Sequence, residues 1–141
     1  MADVLIPISN FKNGFTTCES LKDDNRLTQV PLQDKALGVS KVNSGSTHTV
    51  VKPPQPGGGN TTTTAEELSP PTEAWEALYP KGSINPSGKI RGGFGFYVAG
   101  PSSFAKQLED KNTKEVLMSY RVMLQEDWEW VKGGKLPGFC K

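Results

Sequence analysis

Two lysines, Lys132 and Lys135, bracket the glycine pair Gly133-Gly134 near the end of the chain, in the stretch WEWVKGGKLPG. Glycine leaves the backbone bare and free to adopt conformations closed to other residues, so a ligand can lie against the main chain between the two ammonium groups. Each lysine supplies a point charge with three rotatable donors, suited to a carboxylate or a sulfate. Trp128 and Trp130 alternate just upstream. On a strand both rings would share one face, where flat aromatic surfaces can stack on sugar rings or fill a core. Spacing alone favours the plainer outcome, a solvated turn beside two core tryptophans.

Composition narrows what such a cluster could serve. The chain has 141 residues, the size of one domain, with 35% hydrophobic residues, 15 Gly and 11 Pro. A formal net charge of +1 gives no overall field to attract nucleic acid or an anionic membrane, so anion binding must be local. The expectation is no nucleic-acid partner, no membrane and a monomer. Cys18, Cys140 and the single His48 show no metal-ligand spacing, and no metal or organic cofactor is expected. The two cysteines could close one long loop or stay apart. No apolar run approaches the ~20 residues of a membrane-spanning helix. The opening MADVLIPISNFKNGF has no basic region and no long apolar stretch, so no secretory signal is visible. Gly92 to Phe96, GGFGF, resembles a glycine-rich loop only superficially, because no P-loop or dinucleotide spacing follows.

The elements that must position the lysines read as short strands. Residues 1–25 are polar and without a clear period. Within 26–51, RLTQVPL, LGVSKV and THTVVK favour strands. Residues 52–71 are rich in Pro, Gly and Thr and read as a linker or loop; the sequon at Asn60 within it fits chance. From 72 to 141 the β signals return. Ala74–Pro80 suits a strand better than a helical turn, because Pro80 and Gly82 end it, and Phe94–Gly100 is aromatic and β-branched. The one helical turn expected is PSSFAKQLEDKNTK, with Ser103 as cap and Phe104 and Leu108 at i, i+4. The strongest strand is EVLMSYRVML: Val116, Met118, Tyr120, Val122 and Leu124 fall on one face, Leu117, Ser119, Arg121 and Met123 on the other. Short strands and frequent turns predict an all-β fold, an antiparallel β-sandwich of which the jelly roll is one form.

Tyr120 to Gly138, YRVMLQEDWEWVKGGKLPG, resembles the signature of polysaccharide lyase family 14, the alginate-lyase-like group. The upstream AWEALYPKGSINPSGKIRGGFGFYVAGP is similar to that family's fungal branch. The resemblance implies a β-jelly roll, an extracellular setting, an anionic polysaccharide partner and β-elimination on a uronic-acid polymer such as alginate or glucuronan, with no cofactor. It implies that a lysine of the turn is the catalytic or charge-neutralising cation, Lys135 first and Lys132 second. Trp128, Trp130, Gly133, Gly134 and, more weakly, Arg121 are the substrate-binding candidates; Lys81 is weaker still. Tyr97 and Tyr120 are phenols that could move protons, but Tyr120 sits on the apolar strand face and reads as core, with core also favoured for Tyr97.

In the family, strands beyond the lysine turn supply a Ser-x-Arg pair and a Tyr-x-Tyr pair. Here the residues after Gly138 are Phe139, Cys140 and Lys141. The expectation is an incomplete jelly roll, truncated relative to the family, poorly stable alone and without lyase activity. A non-catalytic carbohydrate-binding or vestigial role is the alternative.

Overall fold

The computed structural model describes residues 5–43, 47–54, 71–125, 127–129 and 135–140. Among these residues the β-structure consists of three two-stranded ribbons. Strands β1 (Gly14–Thr16) and β2 (Leu27–Gln29) pair in parallel, with Phe15 opposite Thr28. Their connection contains a 3-10 turn, Glu19–Leu21, and Val30 N–H closes the pair by donating to the Thr16 carbonyl at 2.9 Å. Helix α1 (Asp34–Leu37) is a single turn. Gly38 ends it in the left-handed region at φ 59°, where glycine carries no Cβ penalty. The chain then enters β3 (Val39–Ser40), which pairs antiparallel with β6 (Tyr97–Val98). Strands β4 (Val50–Val51) and β5 (Ala74–Trp75) form the third ribbon, with Val50 opposite Trp75. Helix α2 (Ser102–Leu108) closes the order.

Aromatic rings join these pieces. Phe96 packs edge-on to Trp75 at 4.8 Å and stacks on Phe94 at 5.2 Å. The His48 ring lies 4.9 Å from Phe96, while its Nε2 is 2.9 Å from both carboxylate oxygens of Asp34, the first residue of α1. One imidazole thus ties the helix to the rings beside β5 and β6. Phe15 on β1 meets Phe104 on α2 at 4.9 Å. The buried hydrophobic side chains among the described residues are only Leu21, Val30 and Leu37. The molecule is mostly short strands and irregular segments with few helices.

Several expectations change. The segment 115–124 forms no strand, and every residue of it is exposed. Alternation gives it two possible faces, but a strand needs a partner for its backbone groups, and none pairs with it among the described residues. Tyr120, expected in a core, is 41% exposed, and Tyr97 is 48% exposed with the Lys41 ammonium 4.7 Å from its ring centre. The segment 1–25, read as irregular, supplies β1. The β1–β2 pair is parallel rather than antiparallel. A second helix, α1, appears beside the expected one. Helix α2 starts at Ser102 with Pro101 as its cap, so Ser103 lies inside it, and Leu108 is exposed rather than paired inward with Phe104. Cys18 and Cys140 are both free thiols. The linker's residues 55–70, including the sequon, lie outside the described residues.

Candidate functional site

The stretch Tyr79-Pro80-Lys81-Gly82-Ser83 makes a tight turn. Ser83 N–H donates to the Pro80 carbonyl at 2.9 Å, and Gly82 adopts φ +84°, the value that the third residue of a type II turn requires. Lys81 stands exposed at its corner. The Tyr79 ring is seated on the backbone of Gly92 and Gly93. A Cβ at Gly93 would lie 2.7 Å from Tyr79 Cζ, and Gly93 itself takes φ +70°. Gly93 N–H donates to the Leu78 carbonyl at 2.7 Å and pins the two segments together.

The far side of Tyr79 meets Trp128, with ring centres 5.6 Å apart and planes at 88°. Trp128 is half-buried and follows a turn in which its N–H donates to the Gln125 carbonyl at 3.1 Å. Downstream, the Tyr120 hydroxyl donates to the Pro137 carbonyl at 3.1 Å. That bond fixes Pro137 against the 115–124 segment. Lys135, two residues before Pro137, is exposed, so its ammonium is hydrated and accessible to an anion. Arg121 is exposed too, and it has an interaction partner. Lys132, Gly133, Gly134 and Trp130 lie outside the described residues. Of the candidates read from sequence, Trp128, Lys135, Arg121 and Lys81 therefore have a described position, as do the phenols Tyr97 and Tyr120.

A family model described as polysaccharide lyase 14 matches residues 69–141, just over half of the chain. The chain belongs to the polysaccharide lyase 14 family. No curated protein and no solved structure matches it. The polysaccharide lyase 14 region opens just before β5 and takes in Trp75, Tyr79, the Gly92-Gly93 seat, Trp128 and the lysine turn. It leaves out β1 to β4 and the His48–Asp34 pair.

Two clefts lie elsewhere on this lyase-family chain. One, about 290 Å³, is bounded by Asn13, Arg26, Thr28, Ser103 and Gln107 among others, between the β1–β2 pair and α2. Arg26 is committed there: its guanidinium binds Asp24, donates to the Ser9 carbonyl at 3.1 Å and lies 4.5 Å over the Phe11 ring. These bonds, first the side-chain one and then that from Arg26 N–H, pull the Asp24 carboxyl down from 3.8 to about 2. The other, about 190 Å³, is lined by Glu19, Lys22, Val30 and Thr72 among others. Neither cleft contains a candidate read from sequence. No group of three or more His, Cys, Asp or Glu side chains able to hold a metal occurs among the described residues. The residue that sequence reasoning passed over is Tyr79. Its only signal was a tyrosine before a Pro-Lys-Gly turn together with a distant glycine pair, and nothing in linear spacing says that the two meet.

Proposed function

We propose that this polysaccharide-lyase-like protein is directed at uronic-acid polymers of the alginate or glucuronan type, with the lysine turn as its carboxylate-binding element. The family match across that turn carries the reading. In β-elimination a base removes the C5 proton of a uronate, the electron pair forms the C4=C5 double bond, and the C4 oxygen leaves and takes up a proton. The carboxylate on C5 shares the developing negative charge. A cation held against it lowers the barrier, because a preorganised charge stabilises the transition state more than the ground state. Lys135 is assigned this role first and Lys132 second. Gly133 and Gly134 give the polymer access to the main chain, Trp128 and Trp130 line its path, and Arg121 borders it.

The finer fold in this proposal is a jelly-roll β-sandwich. An extracellular setting and a monomeric state belong to the same reading. A purely carbohydrate-binding role is the second reading. It is favoured by an exposed aromatic ring, Tyr79, beside Trp128.

The test is incubation of the chain with alginate, glucuronan and a neutral glucan, with binding and unsaturated uronate product both followed. Retention of either polyuronate without product supports binding without cleavage. Product formation supports the lyase reading and overturns the purely carbohydrate-binding one. Retention of neither polymer, or equal retention of the neutral glucan, overturns the polyuronate reading.

A further inference from the structure

The least explained aromatic side chain of the family-matched region is Tyr79. Its ring is 49% exposed, yet it is held in place on two sides. Gly92 and Gly93 give it a flat backbone seat that any Cβ would destroy, and Gly93 adopts φ +70° to do so. Trp128, 49 positions along the chain, braces it edge-on at 88°. Single exposed apolar residues are ordinary on protein surfaces. A ring immobilised by a left-handed glycine and a perpendicular tryptophan, with half its surface left to solvent, is a different object. Packing on two sides restricts its rotamers before any ligand arrives, which lowers the ordering cost of binding.

We propose that Tyr79 is a sugar-stacking residue: its exposed ring receives the C–H face of a pyranose, and Trp128 fixes the angle at which that ring is presented. This deepens the polyuronate reading of the lysine turn and rests on it. The aromatic face handles a sugar ring through apolar contact, while Lys135 handles a carboxylate through charge. Trp128 connects the two, since it touches Tyr79 and lies in the segment that leads into the turn. The turn after Tyr79 places exposed Lys81 two residues on, which suits an anionic rather than a neutral polymer.

The two contributions separate by salt. Stacking is nearly independent of ionic strength, whereas exposed charge pairing is screened. Calorimetric titration of the whole chain with an alginate tetrasaccharide and a glucuronan tetrasaccharide, at low and high salt, reads both. Tyr79→Phe keeps the flat face and should bind within about twofold of the parent. Tyr79→Leu keeps apolar bulk over Gly92 and Gly93 but has no flat face, and should weaken binding about five- to tenfold at both salt concentrations. Lys135→Ala should lose affinity mainly at low salt. Parental affinity in Tyr79→Leu, with Lys135→Ala impaired, overturns the stacking role and leaves the lysine reading standing. Impaired Tyr79→Leu with unaffected Lys135→Ala overturns the lysine reading and keeps the stacking role. No binding by the parent chain overturns both. Circular dichroism of each variant guards against misfolding, and if Tyr79→Leu unfolds, the Trp128→Leu titration decides by the same criteria.

Discussion

The Tyr120 hydroxyl donates to the Pro137 carbonyl at 3.1 Å across 17 positions of sequence. This bond ties Pro137, two residues after Lys135, to a segment that has no strand partner of its own among the described residues. Tyr120 thus holds Pro137, two residues after Lys135, instead of filling the core that strand alternation predicted.

Removing that hydroxyl should therefore affect binding more than stability. Tyr120→Phe leaves the ring in place and loses one exposed hydrogen bond, a stability change of no more than about 1 kcal/mol. Affinity for an oligouronate should fall several-fold as the turn loosens. Equal affinity in Tyr120→Phe and the parent would show that Lys135 does not depend on this tether.

Backbone conformation at Gly93 and Gly38 predicts a different kind of loss. Both adopt positive φ, and a Cβ at Gly38 would lie 3.0 Å from the Gly100 carbonyl oxygen. Gly38→Ala should cost about 1–2 kcal/mol from the left-handed conformation alone. Gly93→Ala should cost more, because it also displaces Tyr79. Denaturant titration measures the stability loss of both. Only Gly93→Ala should also change oligouronate affinity, and parallel effects on affinity would show that the Tyr79 seat is not specific.

Acid should remove one identifiable contribution to stability. The folded carboxyl of Asp24 titrates at about 2 instead of 3.8, chiefly through its side-chain bond from Arg26. A depressed carboxylate stabilises the fold fully above its unfolded value and loses that contribution as pH falls through the folded one. The window is thus from about pH 4 down to about pH 2. Asp24→Asn should flatten stability across it. An NMR titration placing the Asp24 carboxyl at its ordinary value would remove the basis for this expectation.

The His48–Asp34 pair should couple weakly but measurably. Asp34 is half exposed, so solvent screens the contact, and a double-mutant cycle with alanine at each position should give about 0.2–1 kcal/mol. The single His48→Ala change should also weaken the near-ultraviolet circular dichroism of Trp75, whose ring lies 6.1 Å from the imidazole. An unchanged aromatic signal would mean that His48 does not help to hold the ring cluster.

With Leu21, Val30 and Leu37 as its buried hydrophobic side chains among the described residues, the chain should melt broadly rather than in a steep cooperative step. Seven large apolar residues between Val116 and Leu124 are exposed, which should add binding of a hydrophobic dye to the folded chain. A steep calorimetric transition with no dye binding would contradict this.

Local chemistry was legible from sequence because it depends on neighbours along the chain. The Pro80-to-Ser83 turn followed from Pro and Gly positions, and five of the six strands among the described residues fall within segments whose β-branched and aromatic residues marked them. The family motifs could be read in the same way, since their residues are contiguous. The segment 115–124 shows the limit. Alternation describes which faces a strand would have, but whether it becomes a strand depends on a partner that alternation does not name. Tyr79 and Trp128, Tyr120 and Pro137, and His48 and Asp34 meet only when the chain folds. Their contacts depend on glycine seats, turn geometry and ring packing between distant segments. Sequence thus determined the family, while tertiary structure decided which aromatic residues meet, because side-chain convergence is a property of packing and not of spacing.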